Sequence, residues 1–151
     1  MTELNILKGK KGKILSAIMN AIVPRGGAYE QGAADYDLLP EAEQYIRCLN
    51  PLARFGFPFL FSYIEYGALL SRGRVFSRLP EEEAGEYLEG LEESRRYYKR
   101  AIILALKMIT FLVFYNIDRN AERIGYRHWE QADIKKPRKV PAAARRKKPK
   151  K

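Results

Sequence analysis

The sequence predicts an all-α protein, a compact bundle of about five to six helices followed by a basic C-terminal tail. Three observations lead there. Apolar residues recur at three- and four-residue spacing through most of the chain before the tail. No segment alternates apolar and polar residues for long enough to read as a strand. Proline and glycine fall between the apolar runs, where helices would start and stop.

The first helix is expected over Lys11–Val23, where Ile14, Leu15, Ile18, Met19, Ile22 and Val23 form one apolar face before Pro24 ends it. Lys8, Lys10, Lys11 and Lys13 ahead of that run superficially resemble the basic region of a signal peptide. Ser16 and Asn20 dilute the run, and no small-residue cleavage site follows Pro24, so an amphipathic helix is the reading kept. The loop from Arg25 to about Asp37 is rich in Gly and Ala. It lacks the order of a phosphate-cradling P-loop, and no strand precedes it, so it reads as a plain connection.

A second helix is expected from about Pro40, with Asp37 as its cap and Glu41 and Glu43 at the positive end of the dipole. Asn50-Pro51 pairs a good cap with a good first helical residue and starts a third helix. That helix is dense in aromatics (Phe55, Phe57, Phe59, Phe61, Tyr63, Tyr66) and is expected to stop at Gly73. Pro58 should kink it or split it after Phe57. Pro80 and the carboxylates Glu81, Glu82 and Glu83 start a fourth helix with Tyr87, Leu88 and Leu91 as its apolar stripe. Ser94 caps a new helix or lies on a continuing one. Arg95–Tyr115 is the central helix, about 31 Å long at 1.5 Å per residue. Its second half is apolar on nearly every side and must be enclosed by something. The aromatic third helix is one expected cover, and a partner protein the other. A short last helix, capped by Asp118 or Asn120, closes at Gly125.

Charge divides the chain in two. The sequence holds 28 Lys and Arg against 18 Asp and Glu. Ten of the basic residues are Lys135, Lys136, Arg138, Lys139, Arg145, Arg146, Lys147, Lys148, Lys150 and Lys151, in a stretch with no acid. Without them 18 of each sign remain, so the body is formally neutral and the net charge of +10 sits in the tail. Residues 1–130 are read as a helical domain, and 131–151 as a tail expected to be disordered on its own. Such a tail suits anionic membrane, nucleic acid or an acidic protein surface, and it has no interleaved aromatics for base stacking.

Chemistry-bearing residues are sparse. With Cys48 and His128 each the only one of its kind, no internal disulfide, zinc set of the usual kind or well-placed nucleophilic relay can be built. The seven glutamates between Glu81 and Glu93 have no His three residues on, so they read as a solvated face and not a di-iron site. Glu65 and Lys107 are the charges embedded in apolar helices. They are read as lying at solvent edges, as pairing with each other, or, for Glu65, as a functional carboxylate. Neither Ala101–Ile117 nor Phe55–Leu70 is a clean membrane span.

A family resemblance adds to this. The succession Phe76-Ser77-Arg78-Leu79-Pro80, Glu86-Tyr87-Leu88-Glu89-Gly90-Leu91-Glu92-Glu93-Ser94, Arg95-Arg96, Leu106-Lys107, Tyr115 and Ile124-Gly125-Tyr126 resembles the gluconate 2-dehydrogenase small-subunit (subunit 3) family. It covers roughly residues 14–126, including Ile22-Val23-Pro24. Similar helical segments precede the flavin domain in long-chain alcohol oxidases. The resemblance implies an accessory subunit of a large FAD-dependent oxidoreductase of the glucose-methanol-choline type. FAD and the chemistry on CH–OH donors would then belong to the partner, with no cofactor, metal or catalytic residue in this chain. The chain departs from the family in lacking a twin-arginine signal and in its basic tail, so a cytoplasmic complex, with peripheral membrane contact as a further option, is the expectation. Phe76, Tyr97, Tyr98, Tyr115, Tyr126 and Trp129 are the candidate partner contacts. The alternative is a stand-alone protein that binds nucleic acid or anionic membrane through the tail.

Overall fold

The computed structural model describes residues 6–27 and 30–125. Among them there are six α-helices and no strand: α1 (Lys10–Ile22), α2 (Leu39–Cys48), α3 (Pro51–Arg72), α4 (Glu81–Glu92), α5 (Tyr97–Tyr115) and α6 (Asp118–Arg123). Single 3₁₀ turns lie at Ala33–Asp35 and Phe76–Arg78. The chain divides after Ile117 into two units, the first holding α1–α5 and the second beginning with α6. The domain boundary expected at residue 130 lies outside the described residues.

The helix ends follow local chemistry. At the start of α3 the Asn50 side chain accepts the Ala53 N–H at 2.7 Å, satisfying one of the donors a helix start leaves free. At its end Gly73 takes the left-handed conformation, φ 71°, that a side chain would resist. Between them α3 runs through Pro58 without a break, correcting the split expected there. The ring costs one backbone hydrogen bond, at an end of the helix where Arg54 and Phe55 are exposed to water. α2 begins one residue before Pro40, with Leu38 and not Asp37 at the cap and no side-chain cap bond. Glu93–Arg96 separates α4 from α5, and the Ser94 hydroxyl accepts the Arg96 N–H at 3.3 Å, so Ser94 stands between two helices.

The core gives α1 a larger part than the sequence suggested. Ile14, Leu15, Ile18 and Met19 are buried, and α1 packs against α2, α3, α4 and α5 alike. α5 packs on α4, α1 and α2. The expected cover of α5 by α3 is thereby corrected: a contact between the two is the Tyr63–Tyr98 ring pair, centroids 6.4 Å apart. The inward side of α5 (Ile103, Leu106, Ile109, Val113, Phe114) is buried, with Phe114 edge-on to Tyr36 at 5.8 Å. Three helices cover one face of α5, and that is all they cover.

Candidate functional site

The remaining faces of α3 and α5 are apolar and open to solvent. On α3, Leu52, Phe55, Phe59, Tyr66, Leu69 and Leu70 are exposed, with Phe55 at 72%, Phe59 at 73% and Leu70 at 91%. Spacings of three and four residues put them in one stripe, opposite the buried Phe57, Phe61, Ile64 and Ala68. On α5, Tyr97, Leu104, Met108, Phe111 and Leu112 form a second stripe, with Tyr97 at 77% and Leu104 at 61%. The first runs from residue 52 to 70 and the second from 97 to 112, about 27 Å and about 23 Å along the helix axis. Isolated exposed leucines are ordinary, but two stripes of this length are more contiguous apolar surface than scattered exposure gives.

The charges beside these stripes share one sign. α5 carries only cations (Lys99, Arg100, Lys107), and the sole acid on α3, Glu65, is buried. Lys107 pairs with Glu92 and Arg72 with Glu86, so the acids that answer them lie on α4. At the base of α5 the Arg96 guanidinium donates to the Tyr98 hydroxyl at 3.1 Å and holds its pKa below the ordinary tyrosine value. Burial pushes the neighbouring Tyr63 the other way.

The sequence-predicted contacts scatter. Tyr97 and Tyr98 lie on the open face of α5, while Tyr115 is partly buried between Phe111 and Phe114. Phe76 is corrected to a core position: it is 1% exposed and packs against Tyr87 with ring centroids 5.9 Å apart, so it offers no surface to a partner. Tyr126, Trp129 and the basic residues Lys135–Lys151 lie outside the described residues. The residues missed individually were Leu52, Phe55, Phe59, Leu104 and Met108. Their one-sided spacing was the available signal, but an all-round apolar helix hides which side is out.

Glu65 and Lys107 do not pair. Glu65 is buried and accepts from both the backbone N–H and the hydroxyl of Ser77, each at 2.9 Å, with Lys10 Nζ 3.9 Å away. The solvent-edge reading of Glu65 is corrected by that burial. A second buried carboxylate, Glu43, was read only as a helix-start charge. It accepts the Leu7 N–H at 2.8 Å and the Ile6 N–H at 2.9 Å, and it forms an ion pair with Arg47 one turn on at 2.9 Å. It ties the segment ahead of α1 to α2. Among the described residues no group of three or more His, Cys, Asp or Glu could hold a metal ion, and no helix is long and apolar enough to cross a membrane.

Comparison with family models, with curated proteins and with solved structures returns no match for this chain.

Proposed function

We propose that the chain is a non-catalytic helical subunit that docks on a larger protein through the open faces of α3 and α5. The observation that carries this is the pair of exposed apolar stripes, about 27 Å and about 23 Å long, on helices whose other sides form the core. Aromatic and long aliphatic side chains in such a stripe are efficient anchors once a partner excludes water from them. The cations beside the stripes favour a partner with an acidic rim. The sequence resemblance supplies the partner's identity in this reading: a large FAD-dependent oxidoreductase acting on CH–OH donors, which this subunit stabilises or helps to mature. Flavin and catalysis belong to that partner.

Co-expression of the full chain with a large FAD-dependent oxidoreductase of the glucose-methanol-choline type, taken from the adjacent reading frame where that frame encodes one, tests the reading. The expected result is a complex that carries flavin absorbance through purification, survives deletion of residues 135–151, and is lost on Phe59→Glu or Met108→Glu. A flavoprotein that never co-purifies overturns the reading. Binding that needs residues 135–151 and falls steeply with salt favours the rival, a tail that holds nucleic acid or anionic membrane.

A further inference from the structure

Two open clefts meet at the start of α1. The first, about 600 Å³, lies between α1 and the turn at Phe76–Arg78, with Lys10, Lys13 and Arg78 on its walls beside Glu65, Val75 and Ser77. The second, about 500 Å³, shares Lys13 and Ser77 with the first and runs along α1 past Ser16, Ala17 and Asn20 to Leu39.

The charge of the first cleft is unbalanced. Three cations face one carboxylate, and that carboxylate is already engaged: Glu65 accepts both the N–H and the hydroxyl of Ser77. Lys10 lies 3.9 Å from Glu65 and leans on Tyr66, 5.1 Å from the ring centroid. Among the described residues neither Lys13 nor Arg78 has an acidic partner.

Lys10 has Glu65 and Tyr66 as partners, but the helix dipole favours none of these lysines. Lys10, Lys11 and Lys13 occupy the first turn of α1, which has no acid and no side-chain cap. That is the positive end of the helix dipole, where cations are disfavoured. Gly9, just ahead of them, and Gly12, among them, fix the path of the chain. Gly9 has φ 66°, and a Cβ at Gly12 would lie 2.5 Å from the Leu7 carbonyl oxygen. With that path set, Lys10 and Lys13, three residues apart on one side of the helix, face Arg78 from a distant part of the chain, whereas Lys8 and Lys11 line neither cleft.

The geometry points to a binding site for a small organic phosphate, its phosphate group held by Lys10, Lys13 and Arg78 and its less polar body lying along Ala17, Asn20 and Leu39. Three cations suit a dianionic phosphate better than a singly charged carboxylate, and the planar guanidinium of Arg78 can engage two phosphate oxygens at once. The cleft volume lies within the range of small-molecule sites. The second cleft supplies apolar wall from Leu7, Ala17 and Leu39, with Ser16 and Asn20 for hydrogen bonds.

Titration of the ¹⁵N-labelled full chain with phenyl phosphate tests this, with inorganic phosphate as the probe lacking a body. Phenyl phosphate is expected to shift the Gly9 and Ser77 amides saturably, together with Ala17 and Asn20; inorganic phosphate should move only the first pair. Lys13→Gln and Arg78→Gln should each weaken binding about tenfold, the worth of one charge-assisted contact. Lys11→Gln, on the same turn but outside the clefts, should leave it unchanged. Shifts that do not saturate, shifts confined to residues 135–151, or an equal loss in Lys11→Gln would each overturn the site, the last by reducing it to general attraction between an anion and a basic helix end.

Discussion

The two sides of α5 are built from the same kinds of residue and have opposite fates. Ile103, Leu106, Val113 and Phe114 are buried against three helices, whereas Tyr97, Leu104, Met108 and Phe111 face water. Hydrophobicity cannot separate the two sets, because an Ile and a Leu one position apart fall on different sides. Neighbours decide it. Only the side that α1, α2 and α4 can reach becomes core, and the side they cannot reach stays open to water. A helix apolar all round is thus two half-surfaces, one that folds the chain and one that the proposed docking would use.

The largest expected effect comes from breaking the inward side. Phe114 is fully buried and touches the Tyr36 and Tyr115 rings. Phe114→Ala should lower unfolding stability by about 3–5 kcal/mol, the usual cost of removing a core aromatic with its cavity. Urea unfolding checks it; a loss below about 1 kcal/mol would mean the inward face is not the folding face.

Burial as such is not the criterion, and Glu43 sharpens that point. Like Phe114 it is wholly buried, but its contribution is to accept backbone donors of Ile6 and Leu7 and to pair with Arg47. Glu43→Ala should cost about 2–4 kcal/mol, because the buried Leu7 N–H loses its acceptor. Amide hydrogen exchange at Leu7 should accelerate in the variant. If the exchange rate does not change, the carboxylate is not what holds that segment.

Tyr87 gives a smaller effect with a definite sign. Burial, then the nearby Tyr63, pushes its pKa up to about 12. The unfolded chain releases this proton near the ordinary value of about 10, before the folded chain does. Stability is therefore unaffected below about pH 10 and declines between roughly 10 and 12, by on the order of 1–3 kcal/mol at most. Tyr87→Phe removes that share of the alkaline loss. Matched pH–stability profiles of the two proteins check it, and parallel profiles up to pH 12 would exclude Tyr87 as the group responsible.

The helices, the Asn50 cap, the Gly73 stop and the start at Pro80 were legible because each follows from chain-local chemistry. What was not legible depends on which helix meets which. The stripe that carries the cations Arg96, Lys99, Arg100 and Lys107 also carries Ile103, Thr110 and Phe114, which are buried, so charge along it did not mark the solvent side of α5. Phe76 looked available as a contact and is enclosed, whereas Phe55 and Phe59 sit in an aromatic run that reads equally as core or interface and are open. Glu43 and Glu65 were hidden for the same reason. A carboxylate on a helix reads as solvated until the element that supplies its donors, the Ile6–Leu7 segment or Ser77, is brought beside it by the fold.

The smallest expected change in stability belongs to the outward side and tests the comparison most directly. Leu104 and Met108 lie one turn apart on the open face of α5, and their side chains already contact water. Leu104→Glu and Met108→Glu bury no charge and open no cavity, so each should leave unfolding stability within about 0.5 kcal/mol of the parent. They also place a carboxylate where a docked partner would have to desolvate it. If this half of α5 is a docking surface, each substitution should weaken the complex by at least about tenfold while the free chain keeps its helical content. Binding and unfolding should then respond to opposite sides of one helix: inward substitutions lower stability, outward ones lower only affinity. A Met108→Glu protein that unfolds as readily as Phe114→Ala would show that the outward face is covered within the chain after all. One that binds as tightly as the parent would move the docking surface to α3 alone.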